Sequence, residues 1–301
     1  NVGRINIAGN TKTKQHVILR ELPIKPGRPL NSVDLETAKK RLENLGYFEK
    51  GSVQVSQSAS GAAGYRDINV NVREQGTGNL QFGFAFSSIE SLYAYASVTQ
   101  RNFDIMGFTN GTFVGGGQRL TISGRLGTDT QSAVISFLEP WFLNQKLALG
   151  VDLYYSDNSY LSDYYTQQNY GFSVFFRKAI NDKHNLKLTY TLEQNSLDPE
   201  GNAPAFFREN SGDFTRSNIR LAYEYDTRDA MITPRKGGHF EAFGSWSGPG
   251  STVETYSVGI AGSYYYNSVW DSIWSINFGV ETVDTTSGDE QVPLFERCFL
   301  G

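Results

Sequence analysis

The sequence predicts a small α+β domain followed by an antiparallel transmembrane β-barrel, of which about eleven out of roughly sixteen strands are present. Composition supports strands and turns over helices, because 14% of the residues are aromatic and 31 are glycine. Apolar residues follow a helical period only before residue 75, and a period of two prevails from Gly78 onward. No run approaches the ~20 apolar residues of a spanning helix, whereas most strand candidates have nearly the ~9–11 residues that a tilted spanning strand needs.

Residues 1–75 carry the patterns of the α+β domain. Val17, Ile18 and Leu22 share one face of a first helix, and Asn31 caps a second helix that Gly46 ends. The predicted elements, in order, are a strand at 2–10, a helix within 11–22, a helix from Asn31 to Gly46, and strands at 51–58 and 66–74. This β-α-α-β-β order predicts three strands and two helices in one small domain.

The remainder of the chain alternates between apolar and polar residues. Segment 185–193 is the clearest case, since Leu186, Leu188 and Tyr190 share one face and Lys187 lies on the other. The strand candidates are 80–86, 92–100, 119–126, 131–140, 146–155, 169–178, 185–193, 217–226, 239–246, 255–266 and 273–281. These segments predict an antiparallel sheet with one apolar and one polar face.

Two features favour a membrane barrel over a soluble one. Aromatic residues such as Tyr154-Tyr155 and Trp274 stand at the ends of the apolar faces, where the membrane interfaces select for them. Connections also alternate in length: 181–183 is tight, whereas 156–167 and 196–214 are long and polar. Short turns on one rim and long loops on the other are typical of outer-membrane barrels. A soluble barrel remains the alternative.

The two ends of the chain suggest further sequence. Single-chain bacterial barrels close with an even number of strands, and an open sheet edge in lipid leaves backbone groups unsatisfied. About eleven strands, followed by a stretch that ends in a loop, therefore predict additional closing strands. Residue 1 already lies in a strand-like pattern, which predicts a preceding segment.

No catalytic or metal-binding constellation stands out. His16, His184 and His239 lack the spacing of metal ligands, and Cys298, the single cysteine, is interpreted as a packing residue. Segment 244–248 superficially resembles a nucleophile elbow but carries Trp246 at its centre; it is interpreted as a strand that enters a turn.

The other candidate motifs have structural interpretations. Gly115 to Gly117 are predicted to form a bulge or flexible turn, since no Lys-Ser/Thr and no helix follow. The acidic segment 284–290 is interpreted as a solvated loop in preference to a weak calcium site. Net charge is −4 without a basic tail, so nucleic acid is not an expected partner. We expect neither an enzyme nor a cofactor nor a metal.

A charged cluster follows the predicted strand 217–226. Asp226, Arg228 and Asp229 precede Pro234 and two glycines. Closely spaced opposite charges at this place can pair and fix a turn. We favour this structural role for the cluster over direct contact with a substrate.

Several stretches carry a family resemblance. Residues 9–49 look like a helix pair ending in an L-G-[YF]-F turn, and 70–88 look like its junction with a first barrel strand. Further matching stretches are 101–118, 136–142, 225–238 and 293–301. Together they resemble the last POTRA domain and the barrel of the BamA family of outer-membrane protein assembly factors. The arginine of that family's sixth-loop motif would lie beyond Gly301, and Cys298 stands where an aromatic residue is expected.

The resemblance implies that residues 1–75 are the last POTRA domain of a series and lie in the periplasm. It implies that residues 78–301 are the N-terminal part of a barrel in the bacterial outer membrane. It implies insertion of client barrel proteins through a lateral seam, with unfolded outer-membrane proteins, periplasmic accessory lipoproteins and the lipid bilayer as partners. Two alternatives remain, which are a POTRA-barrel pore that secretes one specific polypeptide and, less favoured, an outer-membrane enzyme.

Two sets of residues are candidates for pairing with an added strand. A short first strand with Gly83 and Ala85 on its lumenal face would hold few seam hydrogen bonds, so its edge could open and pair with an incoming strand. The residues of this strand are Asn79, Leu80, Gln81, Phe82, Gly83, Phe84, Ala85 and Phe86. The POTRA strands could likewise pair with an extended segment or be purely structural; their candidate residues are Val53, Val55, Ile68, Val70 and Val72.

Overall fold

A computed structural model describes residues 1–60, 63–87, 91–109, 111–159, 163–230, 233–268, 270–287 and 291–297. Cys298 and residues 288–290 of the acidic segment, for which packing and loop roles were predicted, lie outside these ranges. The chain divides into two compact units. The first comprises residues 1–81 and 97–121, and the second comprises residues 82–96 and 122–301.

The α+β domain has the predicted order of elements. They are β1 (Val2–Ala8), α1 (Gln15–Glu21), α2 (Ser32–Asn44), β2 (Gln54–Ala59) and β3 (Arg66–Asn71). The sheet order is β1-β3-β2, in which β3 pairs in parallel with β1 and antiparallel with β2. The predicted β-α-α-β-β fold is confirmed.

The helix-forming pattern explains how this domain packs. Val17 and Ile18 of α1 are completely buried, as are Ala38 and Leu42 of α2 and Ile68 of β3. The Asn31 side chain accepts a hydrogen bond from the Val33 amide (3.1 Å), which satisfies one of the unpaired donors at the start of α2. The apolar faces of both helices therefore meet the sheet in one core.

All eleven predicted strands are present in a second sheet. They are β4 (Gly78–Ser87), β5 (Ser91–Phe103), β6 (Gln118–Gly127), β7 (Thr130–Glu139), β8 (Leu147–Asn158), β9 (Tyr165–Ala179), β10 (His184–Pro199), β11 (Gly212–Asp226), β12 (Gly237–Ser247), β13 (Thr255–Asn267) and β14 (Ile273–Thr285). Each strand neighbours the next in sequence, and β4 and β14 are the edges.

One face of this sheet is apolar and exposed. Leu186, Leu188 and Tyr190 of β10 are exposed, as the alternation predicts, and Ile260 of β13 and Val280 of β14 are exposed as well. Their alternating neighbours, Glu193 among them, lie on a polar face. An apolar face of this extent is typical of contact with lipid hydrocarbon.

The connections differ from the prediction in length and content. Strands β8 to β11 extend into the predicted loops 156–167 and 196–214, since polar pairs such as Ser156 with Asn169 continue the ladder. Backbone pairing does not require apolar side chains, which explains the error. Short helical segments at Ile105–Thr109, Phe142–Asn144, Ala205–Glu209 (α3) and Leu294–Glu296 were not predicted. Among the described residues no helix is both long and apolar enough to cross a membrane.

Candidate strand-pairing edge and its supports

Strand β4 forms an edge of the eleven-stranded sheet. It pairs with β5, and no other strand in the described ranges pairs with its second edge. Leu80, Phe82, Phe84 and Phe86 point outward and are between 64% and 80% exposed. An edge strand presents a row of unpaired backbone donors and acceptors, so β4 is a template for a further strand.

Two small residues, Gly83 and Ala85, lie on the inner face of β4. A Cβ atom on Gly83 would lie 2.8 Å from the hydroxyl oxygen of Tyr95 on β5 and 2.9 Å from the adjoining ring carbon. Glycine at this position therefore lets the Tyr95 side chain lie directly against the strand backbone. With Ala85 as the next inward residue, β4 contributes little side-chain volume to hold a partner strand in place.

The chain enters β4 through a tightly bonded segment. The Thr77 carbonyl accepts a hydrogen bond from the Arg101 amide (3.1 Å), and the Gln75 amide donates to the Tyr47 carbonyl (2.9 Å). The Gln75 side chain also donates to the Gly46 carbonyl (3.0 Å). The segment from Gln75 to Thr77 thus has fixed partners at both of its ends.

Glu74 is the centre of the next group of hydrogen bonds. Its carboxylate accepts from the amide (3.0 Å) and the hydroxyl (2.7 Å) of Thr11, the amide of Lys12 (2.9 Å) and the amide of Thr13 (2.6 Å). Burial by itself raises the pKa of the carboxyl, but the bonds from Thr13, Thr11 and Lys12 outweigh burial and lower the pKa to about 2. The ionised form of Glu74 therefore ties the start of α1 to the end of the domain.

The connection between β5 and β6 packs against α1. The Lys14 amide donates to the Gly115 carbonyl (2.9 Å), and the Lys14 ammonium lies 2.6 Å from the carboxylate of Asp104. The Asn102 amide group donates to the Thr13 hydroxyl (2.9 Å). Arg20 donates to the Gly117 carbonyl (3.1 Å). Three residues of α1 and its approach are thus bonded to the end of β5 and to the connection that follows it.

The glycine triplet, predicted to be a bulge or flexible turn, forms a bend that packs closely against residues 12–17. Gly115 has a φ of +113°, and a Cβ atom there would lie 2.0 Å from the Lys12 carbonyl oxygen. A Cβ atom on Gly117 would lie 2.7 Å from a Val17 methyl group. The glycines allow close approach of two backbones. A sequence pattern cannot reveal this partner, because α1 is about a hundred residues away.

The candidate residues in the first domain are mostly core residues. Val53, Ile68, Val70 and Val72 are buried, and Val55 is partly buried against them. Strand β3 is central, with β1 and β2 on its two sides, so both of its edges are already used. Of the two strands singled out by the sequence, only β2 therefore offers an edge for an added strand.

Inside the second unit, Arg216 lies between two acidic side chains that the sequence did not single out. It contacts Glu193 (3.3 Å) and Glu296, whose side chains are only 11% and 7% exposed. The hydroxyl groups of Tyr154 and Thr255 donate to Glu193 and Glu296 at 2.5 and 2.6 Å. Glu193, Arg216, Thr255 and Glu296 border a cavity of about 290 Å³. The cluster holds the segment Leu294–Glu296 against the polar face of the sheet.

The charged turn after β11 divides into two parts. Arg228 donates two side-chain hydrogen bonds to Asp226, at 3.0 and 2.7 Å. Asp229 instead accepts from the amides of Arg235 (2.9 Å) and Lys236 (3.2 Å). These two backbone bonds lower the pKa of Asp229. Asp226 and Arg228 thus bond to each other, and Asp229 bonds to the second half of the turn.

Replacing Asp229 with alanine should loosen the turn without affecting the sheet. The amides of Arg235 and Lys236 lose their acceptor, so we expect both to exchange hydrogen faster with solvent. Hydrogen exchange followed at single residues measures the effect, and Asp182→Ala in the neighbouring tight turn is the matched control. Unchanged exchange at Arg235 and Lys236 would refute the role of Asp229.

The other residues singled out by the sequence lie apart from one another. His16 is in α1, His184 begins β10 beside Tyr223, and His239 lies in β12. Segment 244–248 is the end of β12 and the turn that follows it. Within the described ranges, no group of three or more His, Cys, Asp or Glu side chains is arranged to hold a metal ion.

Comparison with known proteins identifies both parts of the chain. The family model described as the Omp85 superfamily domain matches residues 112–301, and the POTRA model, described as a surface antigen variable number repeat, matches residues 1–75. The chain is 23% identical over 304 residues to the outer membrane protein assembly factor BamA of Nitratidesulfovibrio vulgaris, covering 100% of this chain and 36% of that protein. It is 29% identical over 153 residues to BamA of Neisseria meningitidis, covering 51% of this chain and 18% of that protein.

Solved structures show the same fold. BamA from Haemophilus ducreyi lacking POTRA domains 1-3 has a TM-score of 0.76 at 23% identity and covers 98% of this chain and 57% of that chain. CdiB from Escherichia coli has a TM-score of 0.57 at 11% identity and covers 95% of this chain and 54% of that one. The chain spans about a third or less of the length of the two curated relatives. The resemblance to the BamA family is confirmed, and because the family model matches more than half of its residues, the chain belongs to the Omp85 superfamily.

Proposed function

We propose that the chain is part of an outer-membrane insertase that folds and inserts client β-barrel proteins. Residues 1–75 act as the last POTRA domain of a series in the periplasm, and residues 78–301 form the N-terminal part of a barrel in the bacterial outer membrane. The relatives named as outer membrane protein assembly factors support this function. The observation that carries it is β4, a ten-residue edge strand with an apolar outer face and with Gly83 and Ala85 on its inner face.

The physical role of β4 follows from the cost of unpaired backbone in lipid. Each unsatisfied N–H or C=O group in hydrocarbon costs several kcal/mol, so a client strand cannot enter the bilayer with a bare edge. An opened seam at β4 offers that edge a partner, and each added client strand presents the next template. The exposed rings of Phe82, Phe84 and Phe86 would contact the lipid hydrocarbon and so keep β4 within the bilayer. No catalytic step is part of this proposal.

The POTRA domain would bind through the edge of β2. This strand carries exposed Gln54, Ser56 and Gln57, and among the described strands only β3 is its neighbour. The outer edge of β1 is partly covered, because Val2 exchanges backbone hydrogen bonds with Gly27 and Arg28 (2.9 Å each). We therefore favour β2 as the place where an unfolded client or an accessory lipoprotein adds an extended segment.

Depletion in the source bacterium tests the function. If the protein is an insertase, many unrelated barrel proteins should disappear from the outer membrane as it is depleted, because all of them need the same seam. Quantitative proteomics of the outer-membrane fraction measures this loss. Disappearance of one secreted polypeptide, with other barrels unaffected, would overturn the insertase proposal.

A disulfide lock tests the seam. Cysteine at Gln81, paired with a cysteine in the closing strand of the full-length protein, should stop client insertion under oxidising conditions, and a reductant should restore it. Cys298→Ser removes the competing thiol in all variants. A matched control is the double variant Ser245→Cys with Ser257→Cys, since these residues face each other on β12 and β13. Normal insertion with the seam locked would exclude opening at β4.

A translocation pore is the second candidate. The similarity to CdiB structures supports it, but their TM-scores of 0.57 and 0.52 lie below the 0.76 of the BamA structure. A pore would pass one specific polypeptide through the lumen without using the β4 edge. Under this alternative, the locked variant would still secrete its substrate and depletion would leave most barrel proteins in place.

A further inference from the structure

The connection between β5 and β6 exposes four large apolar side chains, one of which is Met106 (65% exposed). Ile105 and Phe108, in the helical segment Ile105–Thr109, are 47% and 65% exposed, and Phe113 is 46% exposed. We call these four residues the apolar turn. Four such side chains within nine residues form an exposed patch that water disfavours, and patches of this kind commonly mark an interaction surface.

Polar contacts of Asp104 and Gln118 hold the apolar turn in one conformation. Asp104, only 4% exposed, accepts a hydrogen bond from the Met106 amide (3.2 Å) and contacts the ammonium of Lys14 (2.6 Å). The Ile105 amide donates to the side chain of Gln118 at the start of β6 (2.7 Å). Asp104 and Gln118 thus bond to the backbone amides of the turn, and the apolar side chains stay exposed.

Phe113 is fixed in the same way. Its φ is +46°, a left-handed conformation that is rare for a bulky residue. Its ring stacks on Phe103, with centroids 6.2 Å apart and planes inclined by 8°, and its carbonyl accepts from the Asp104 amide (3.0 Å). The surroundings therefore compensate for an unfavourable backbone conformation that keeps an aromatic ring at the surface.

The position of the apolar turn indicates its partner. It lies at the rim where β5 ends and β6 begins, and the outward apolar face of the sheet reaches this rim through Leu80 and Val98, which are 64% and 50% exposed. Exposed apolar side chains that continue the apolar face of a sheet at its rim are suited to the boundary between phospholipid headgroups and acyl chains.

We propose that the apolar turn inserts into the periplasmic leaflet of the outer membrane and contacts phospholipid acyl chains beside the first strands of the barrel. This proposal rests on the proposed membrane location, because the bound POTRA domain makes this rim the periplasmic one. Insertion fixes the base of β4 and β5 relative to the leaflet. The proposed partner of the apolar turn is lipid. The competing possibility is that another protein covers the turn.

Fluorescence quenching by spin-labelled lipid tests the insertion. An environment-sensitive dye is attached to cysteine at Phe108 in the full-length protein, with Cys298 and any other cysteine replaced by serine. The protein is reconstituted in vesicles of phosphatidylethanolamine and phosphatidylglycerol that contain a lipid with its nitroxide near the headgroup. We expect the dye to lose most of its fluorescence. Ile105→Cys supplies a second labelled position if the Phe108 variant folds poorly.

Two matched positions make the result decisive. Val33 on α2 of the POTRA domain is 64% exposed, nearly the same exposed fraction as Phe108. A dye at Val33 should keep its fluorescence. Phe84 on β4 is 80% exposed, and a dye there should be quenched by lipid with its nitroxide deeper in the acyl chain. Quenching at Phe84 without quenching at Phe108 and Ile105 would overturn the insertion of the apolar turn. Loss of quenching at Phe84 itself would overturn the membrane location on which the proposal rests.

Discussion

Replacing Arg216 with alanine is expected to destabilise the second unit by about 3–5 kcal/mol, because the change leaves two buried carboxylates without a positive charge. Glu193 and Glu296 are 11% and 7% exposed and both contact the guanidinium. The segment Leu294–Glu296 should also separate from the sheet. Denaturant titration of the refolded protein in detergent micelles measures the stability, and hydrogen exchange of residues 291–297 reports on the segment.

An exposed ion pair in the same unit supplies the control. Arg235 contacts Asp271, but the two side chains are 45% and 76% exposed, so Arg235→Ala should cost less than about 1 kcal/mol. Combining Arg216→Ala with Glu296→Gln should restore part of the lost stability, since it removes one of the two unpaired charges. A loss for Arg216→Ala no larger than for Arg235→Ala would contradict the role of the cluster.

Replacing Glu74 with glutamine is expected to destabilise the junction by about 2 kcal/mol at neutral pH, after allowance for solvent screening of a partly exposed group. Glutamine keeps the shape of the side chain but loses the charge and one acceptor oxygen. The amides of Thr11, Lys12 and Thr13 should then exchange faster. Hydrogen exchange at these three amides, measured in the full protein, gives the magnitude.

The same carboxylate gives the junction a defined pH dependence. Its pKa is lowered from 4.5 to about 2 in the folded protein, so its stabilisation is complete above about pH 5 and is lost as the pH falls towards 2. Glu74→Gln should remove this dependence, whereas Glu36→Gln on the exposed face of α2 should leave it unchanged. An acid transition that persists in Glu74→Gln would assign it to other groups.

Much of the fold follows from local patterns in the sequence. The face of Val17 and Ile18 predicted α1, and the alternation around Leu186 and Leu188 predicted β10, because burial and exposure repeat with the period of each element. The edge position of β4 was also predictable, since antiparallel strands that follow one another tend to be neighbours. These predictions need no information on contacts between residues distant in the sequence.

The supporting contacts were not predictable, because their partners are far apart in the chain. Arg216 meets Glu193 only through the register of β10 with β11, and it meets Glu296 only because the chain after β14 folds back. The bonds to Glu74 depend on the conformation of residues 11–13, which no periodic pattern encodes. For Arg216, the sequence shows only a charged residue on the polar face of a strand. Many residues of this kind have no comparable partner, so the pattern does not predict the contact.

The packing of the glycine triplet on α1 changes how the POTRA domain is anchored. A domain joined only through Gln75 to Thr77 would be free to pivot about that single covalent link. The bonds from Lys14 to Gly115 and from Arg20 to Gly117 add a second, noncovalent anchor about forty residues further along the chain. A torque applied to the domain is therefore shared by two anchor points, and cutting the backbone at Gly76 would leave the domain attached by the other.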